Sequence, residues 1–224
     1  MKKSIILLGA SGLIGNEVLR ICLENNDINA IKIFVRKSLG IHNPKLKEII
    51  TDFKDFDILK DGIQGTTLIC CLGTTRKKTP SLEDYRNIDY GITLKVAVLA
   101  KQNGISEVHL ISAVGADSKS KIFYNLLKGE TERDLLNLNF ENTSIYRPSL
   151  LIGSRNEFRL GELLAQKSAP LFDFFLSRTN KYHSISYQKV AQALVKNIFK
   201  EKNKSEILEY SEMQSLLFDT NNIW

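Results

Sequence analysis

The stretch SIILLGASGLIGNEVLRICLENN, residues Ser4 to Asn26, decides the fold. Its first half is an unbroken apolar run, the pattern of a strand buried on both faces. Its second half carries apolar residues at helical spacing and reads as an amphipathic helix. Between them lies GASGLIG, a GxxGxxG turn with Gly9, Gly12 and Gly15. In a strand–turn–helix each glycine has a separate use. One makes the tight turn, one admits a pyrophosphate to the backbone, and one lets helix and strand pack closely. The helix start, at Leu13 and Ile14, would offer free N–H groups to phosphate oxygens, and Ser11 could add a hydroxyl.

Outward from this unit the chain repeats its rhythm. IKIFV, LKEIITDF, TTLICCLG, EVHLIS and TSIYRPSLLIG read as further strands. ILKDGIQG, a long helix from about Glu83 to Gln102 and SKIFYNLLKGETERDLLNL read as helices between them, the long one stopped at Asn103-Gly104. Alternating strands and helices with continuous apolar strands predict an α/β fold, a doubly wound parallel sheet covered on both faces. After Gly153 the rhythm loosens. A helix near Arg159 to Lys167, the run PLFDFFL, a helix YQKVAQALVKNIF and a short strand ILEY complete the chain. The expectation is one domain over 1–224, of which about 154–224 is a small extension on the substrate side.

Composition narrows the class. Hydrophobic residues at 43% and charged residues at 25% describe a globular chain. The net charge of +6 is spread without a block of like charges, so nucleic acid is not an expected partner. Cys22, Cys70 and Cys71 have no CxxC spacing, which argues for buried thiols and against a metal site or disulfide framework. The apolar run after MKKS is too short for a signal peptide, and no stretch approaches a membrane span. A cytoplasmic protein with no integral membrane segment is expected.

The strand ends select a cofactor. An NAD site usually has an acidic residue at the end of the second strand. Here the place holds Arg36 and Lys37, two cations suited to a 2′-phosphate, so NADP(H) is expected over NAD. At the end of the third strand Asp52 could accept from an adenine amino group and Phe53 could lie against its ring. Leu72, Gly73 and Thr74 end the fourth strand where a ligand would cross. The fifth strand delivers Ser112 to its carboxyl edge. Tyr124 and Lys128 follow, four apart on one helical face. About 0.7 such pairs would arise by chance in this composition, so their place after the glycine turn and Ser112 carries the reading.

In order along the chain, GASGLIG, DF, CCLGTTRKK, the helix bearing Asp89, LISAVGAD, FYNLLKGE, YRPSLLIG and RNEFRLGE resemble the Tat-interacting protein family of atypical short-chain dehydrogenases. The resemblance spans nearly the whole chain and implies an NAD(P)-binding Rossmann fold and hydride transfer. It implies Tyr124 as the acid or base, Lys128 stabilising the phenolate and reaching the nicotinamide ribose, and Ser112 orienting a carbonyl substrate. An unperturbed phenol, near pKa ~10, exchanges its proton poorly at neutral pH and needs such help. Ala113 departs from the family, which often carries a second serine there. Pro148 and Leu151 would line the nicotinamide end, Arg159 would approach the cofactor, and Arg155 would serve the substrate. Some atypical members bind NADP without turnover and act through protein partners, so a cofactor sensor is the competing expectation. A sugar-nucleotide epimerase would need a larger C-terminal substrate domain. A monomer is expected over a dimer.

Overall fold

A computed structural model describes residues 2–152, 180–201 and 205–218. Its centre is a seven-stranded sheet, β1 (Lys3–Leu8), β2 (Ile28–Val35), β3 (Leu46–Ile50), β4 (Thr67–Cys70), β5 (Glu107–Ile111), β6 (Asn142–Tyr146) and β9 (Glu206–Leu208). The strands lie in the order β3-β2-β1-β4-β5-β6-β9, and every pairing is parallel. This is the doubly wound Rossmann arrangement, in which the order reverses between β1 and β4 and leaves a crevice at their carboxyl ends.

The unbroken apolar strands are buried from both sides. Ile5 and Leu7 of β1 join one core layer beneath α1 (Leu13–Glu24) and α6 (Tyr187–Ile198). Ile6 and Leu8 join the opposite layer, with Leu59 of α2 (Phe56–Gly62) and Val96 and Ala100 of α4 (Thr93–Gln102). Neither face of the central strand meets water, so alternation would have been the wrong pattern to expect. In α1 the buried positions Ile14, Val18, Leu19 and Cys22 fall on one stripe, and that stripe packs on α6.

Three expectations are revised. The long helix is not uniform. It runs as α3 (Leu82–Arg86), a π-helical segment (Asn87–Ile92) and then α4. Ser81 caps its start by accepting from the Asp84 amide at 3.2 Å. The sixth strand region splits. β6 ends at Tyr146, and after Pro148, which has no N–H for a ladder, β7 (Leu151–Ile152) pairs instead with β8 (Ile185–Ser186) in a separate small sheet. The third strand stops at Ile50, before Asp52 and Phe53. Two helices complete the described chain, α5 (Phe123–Leu136) and α7 (Tyr210–Phe218), the latter absent from the sequence reading. ILEY supplies β9, the edge of the main sheet. The expected helix near Arg159 and the run PLFDFFL lie outside the described residues. No helix among the described residues is long and apolar enough to cross a membrane.

Candidate functional site

The glycine turn sits where the strand order reverses. Gly9 has φ +80°, and a Cβ there would come within 2.5 Å of the Cys71 carbonyl oxygen. A Cβ on Gly15 would lie 2.2 Å from the Gly9 carbonyl oxygen, so the helix can lie this close to the turn only with glycine at position 15. The Gly12 amide donates to Gly9 O at 2.9 Å and closes the turn. Gly12 caps α1 with no side-chain bond, and no acidic residue occupies the first turn. The positive end of the helix and its first amides are left for a ligand.

A cavity of about 700 Å³ opens there, along the carboxyl edge of the sheet. Ser11, Gly12, Leu13 and Ile14 line one part of it; Leu72, Gly73 and Thr74 cross beside them. Ser112, Tyr124, Lys128, Pro148 and Leu151 line the remainder. The structure thus brings together residues from five separate stretches of the chain. A nucleotide phosphate fits the amide-rich turn by charge and by the absence of Cβ atoms.

Other expected cofactor residues lie apart from this lining. Arg36 and Lys37 are exposed just beyond the end of β2. Asp52 is exposed; it accepts from the Lys54 amide at 3.0 Å, and its carboxylate lies 3.7 Å from Lys54 Nζ. Phe53 has φ 67° and packs in the core layer with Phe34 and Leu59. Arg155 and Arg159 lie outside the described residues.

Tyr124 and Lys128 share the cavity face of α5, with Lys128 Nζ 6.0 Å from the Tyr124 ring centroid. Lys128 is 5% exposed and Asp89, from the π-helical segment, is 1% exposed. Lys128 Nζ lies 3.1 Å from Asp89 Oδ2, while Asp89 Oδ1 accepts from the Thr74 amide at 2.8 Å. Burial pulls the ammonium down, but the Asp89 charge, with smaller help from Tyr124 and Tyr85, outweighs it and leaves Lys128 raised.

Ser112 is also committed. Its hydroxyl donates to Glu132 Oε1. Glu132 in turn is gripped by Arg147, with Nε 3.0 Å from Oε1 and Nη2 2.5 Å from Oε2. Glu132 is 3% exposed and has its charge answered. A hydroxyl has one proton, and here Glu132 receives it. Sequence reasoning missed Asp89 and Glu132 as the partners of Lys128 and Ser112, and Arg147 as the partner of Glu132. Glu132 had a signal, since Tyr124, Lys128 and Glu132 are spaced i, i+4, i+8 along α5. Gly129 was also missed. A Cβ there would fall 2.1 Å from the Asp117 carbonyl carbon, so it sets how closely the loop after β5 lies on α5.

The three cysteines are unpaired thiols. Burial pushes Cys22 and Cys70 up to about 12 and raises Cys71 further, although Cys71 borders the cavity. His183 stacks on Tyr210 with ring centroids 5.0 Å apart, a packing contact.

No protein-family model matches the chain. Among curated proteins, it is 35% identical over 169 residues to the protein HTATIP2 of Rattus norvegicus, covering 74% of this chain and 69% of that protein. It is 36% identical over 169 residues to the mitochondrial protein FMP52 of Candida albicans, covering 73% and 74%. Solved structures share the fold at lower identity. UDP-glucose 4-epimerase of Thermotoga maritima superposes with a TM-score of 0.69 at 13% identity, over 92% of this chain and 76% of that one. MoeE5 in complex with UDP-glucuronic acid and NAD gives 0.70 at 16% identity, over 92% and 75%.

Proposed function

Because the chain belongs to the family of HTATIP2 and FMP52, the Tat-interacting protein family of atypical short-chain dehydrogenases, we propose that it is an NADPH-dependent oxidoreductase acting on a small carbonyl compound. One observation carries this reading: Tyr124 and Lys128 face the same cavity as the uncapped start of α1. Bound NADPH would supply the hydride. Leu13 and Ile14 would hold its phosphates through backbone amides, and Lys128 would hold the nicotinamide ribose. Pro148 and Leu151 would shield the nicotinamide end from water.

Tyr124 Oη would pass its proton to the oxygen of the carbonyl that takes up the hydride, leaving an alcohol and a phenolate on the Lys128 side of α5. Ser112 would bond the same oxygen by turning its hydroxyl away from Glu132, whose carboxylate Arg147 continues to satisfy. NADPH oxidation is measured across a panel of aldehydes and ketones. Substituting Tyr124→Phe should abolish consumption while leaving NADPH binding intact; equal turnover in both proteins would remove the catalytic assignment.

A second reading is an NADP(H)-binding regulatory protein with little turnover. It is favoured by the partners already taken within the protein, Glu132 by Ser112 and Asp89 by Lys128. Tight NADPH binding with no consumption across the panel supports it. The choice of NADP(H) over NAD(H) rests on Arg36 and Lys37, and on the lack of an acidic residue at the same strand end. Calorimetry with both cofactors on wild type and on Arg36→Ala/Lys37→Ala tests it; a clear preference for NAD(H) in wild type defeats it. We also propose one domain, with 154–224 as its substrate-side extension, a monomer, and a cytoplasmic location. Light scattering and cell fractionation test the last two, the latter because the fungal relatives are named mitochondrial.

A further inference from the structure

The helix leading away from the cavity has a defect in register that puts one carboxylate in an unusual place. α3 and α4 are ordinary α-helix, and the six residues between them are π-helical. Such turns carry an extra residue, shift the facing of the side chains around it, and are frequent at functional sites. Three consecutive links fasten this turn to α5: Arg86 Nη1 to Glu130 Oε2 at 2.6 Å, Asp89 Oδ2 to Lys128 Nζ at 3.1 Å, and Tyr90 Oη donating to Asp134 Oδ2 at 2.9 Å. The outer two are partly exposed. The middle one is buried at both ends, and its Lys128 lines the cavity.

We propose that Asp89 is a positioning residue of the site, one side chain that sets both the cofactor-crossing loop and Lys128. One carboxylate oxygen holds the Thr74 amide and the other faces the Lys128 ammonium. This deepens the reading of Lys128 as a cofactor-contacting residue and rests on it. A buried ammonium without a partner gives up its proton near neutral pH. The Asp89 carboxylate favours the charged form of Lys128, and with it a cation at the cavity end of α5. The titratable groups that bear on Lys128 are Asp89 from the π-helical segment, Tyr85 from α3, Tyr124 from α5 and Cys71 beyond β4. Among these four, only Asp89 is a carboxylate.

Asp89→Asn isolates the role, because the amide oxygen can still accept from Thr74 while the charge facing Lys128 is gone. NADPH binding is followed by calorimetry from pH 7.5 to 9.5, where the 2′-phosphate, with a second pKa of about 6, is fully ionised, in wild type, Asp89→Asn, Lys128→Met and the double variant. The wild-type dissociation constant should be flat. In Asp89→Asn it should rise with pH, by about tenfold for each unit above the new Lys128 pKa. On the Lys128→Met background the Asp89→Asn change should add little. A pH-independent loss of affinity in Asp89→Asn, equal on both backgrounds, would show a merely structural carboxylate and overturn the inference. If Asp89→Asn is recovered unfolded, the double variant decides. Its folding supports a residue whose work is to answer Lys128, and its failure to fold overturns that. Should Lys128→Met bind NADPH as wild type does, the placement of Lys128 against the cofactor falls, which is a different result from a flat Asp89→Asn profile.

Discussion

Gly129→Ala sets two well-understood effects against each other. Alanine is favoured over glycine in a helix interior by about 1 kcal/mol, so propensity alone predicts a more stable α5. The structure predicts the opposite. The new Cβ would sit 2.1 Å from the Asp117 carbonyl carbon and 2.2 Å from the Ser118 nitrogen, both backbone atoms. To restore a contact near 3.5 Å, loop and helix must part by about 1.4 Å. The loop cannot yield freely, because the Asp117 amide donates to Asn125 O at 3.0 Å and the Ser120 amide to Asp117 O at 3.0 Å. Overpacking of this kind costs about 3 kcal/mol, which leaves a net loss of about 2 kcal/mol. For a domain of this size the melting temperature should fall by about 4–8 °C. Since Lys128 precedes Gly129 on the same helix, NADPH affinity should weaken as well. Thermal melts by circular dichroism and a fluorescence titration with NADPH measure both. A melting temperature equal to or above that of wild type would refute the close approach of the loop to α5.

Other substitutions probe separate parts of the site. Gly15→Ala should eliminate NADPH binding in calorimetry, because its Cβ would meet the Gly9 carbonyl oxygen at 2.2 Å and spread the phosphate turn; retained affinity would contradict the turn geometry. Arg147→Met leaves the buried Glu132 carboxylate without its cation and should cost about 3 kcal/mol in urea unfolding, with most of it recovered by adding Glu132→Gln. Additive losses in the two variants would show that the pair is not coupled. With Cys22 and Cys70 held up to about 12 by burial, the folded protein at pH 8 should react slowly with a thiol reagent, and all three cysteines should react once it is unfolded. Rapid modification of two or more thiols in the folded state would contradict their burial.

The legible parts of this protein are those governed by local rules. SIILLG between Lys3 and Gly9 could be read as a strand buried on both faces because no polar residue interrupts it. GASGLIG could be read as a phosphate turn because only glycine tolerates the close approaches around Gly9 and Gly15. Tyr124 and Lys128 could be placed on one face because helical spacing decides that within a single element. The same rule would have added Glu132, had the face been followed one turn further. The burial of Phe53 was not legible: it takes φ 67° and packs in the core layer, and nothing in TDF announces that conformation.

By itself, then, the sequence determined the layers, the glycine turn and which residues of α5 look into the cavity, since periodicity and steric exclusion act over a few neighbouring residues. Only the tertiary structure decided what those residues touch. Lys128 meets Asp89 across a π-helical segment, Ser112 spends its proton on Glu132, and the chain leaves the main sheet after Tyr146 to pair Leu151 with Ile185. Each depends on groups far apart along the chain coming together in a buried place. There charge and hydrogen-bond demands must be met by whatever the fold brings near, a condition that residue order does not display.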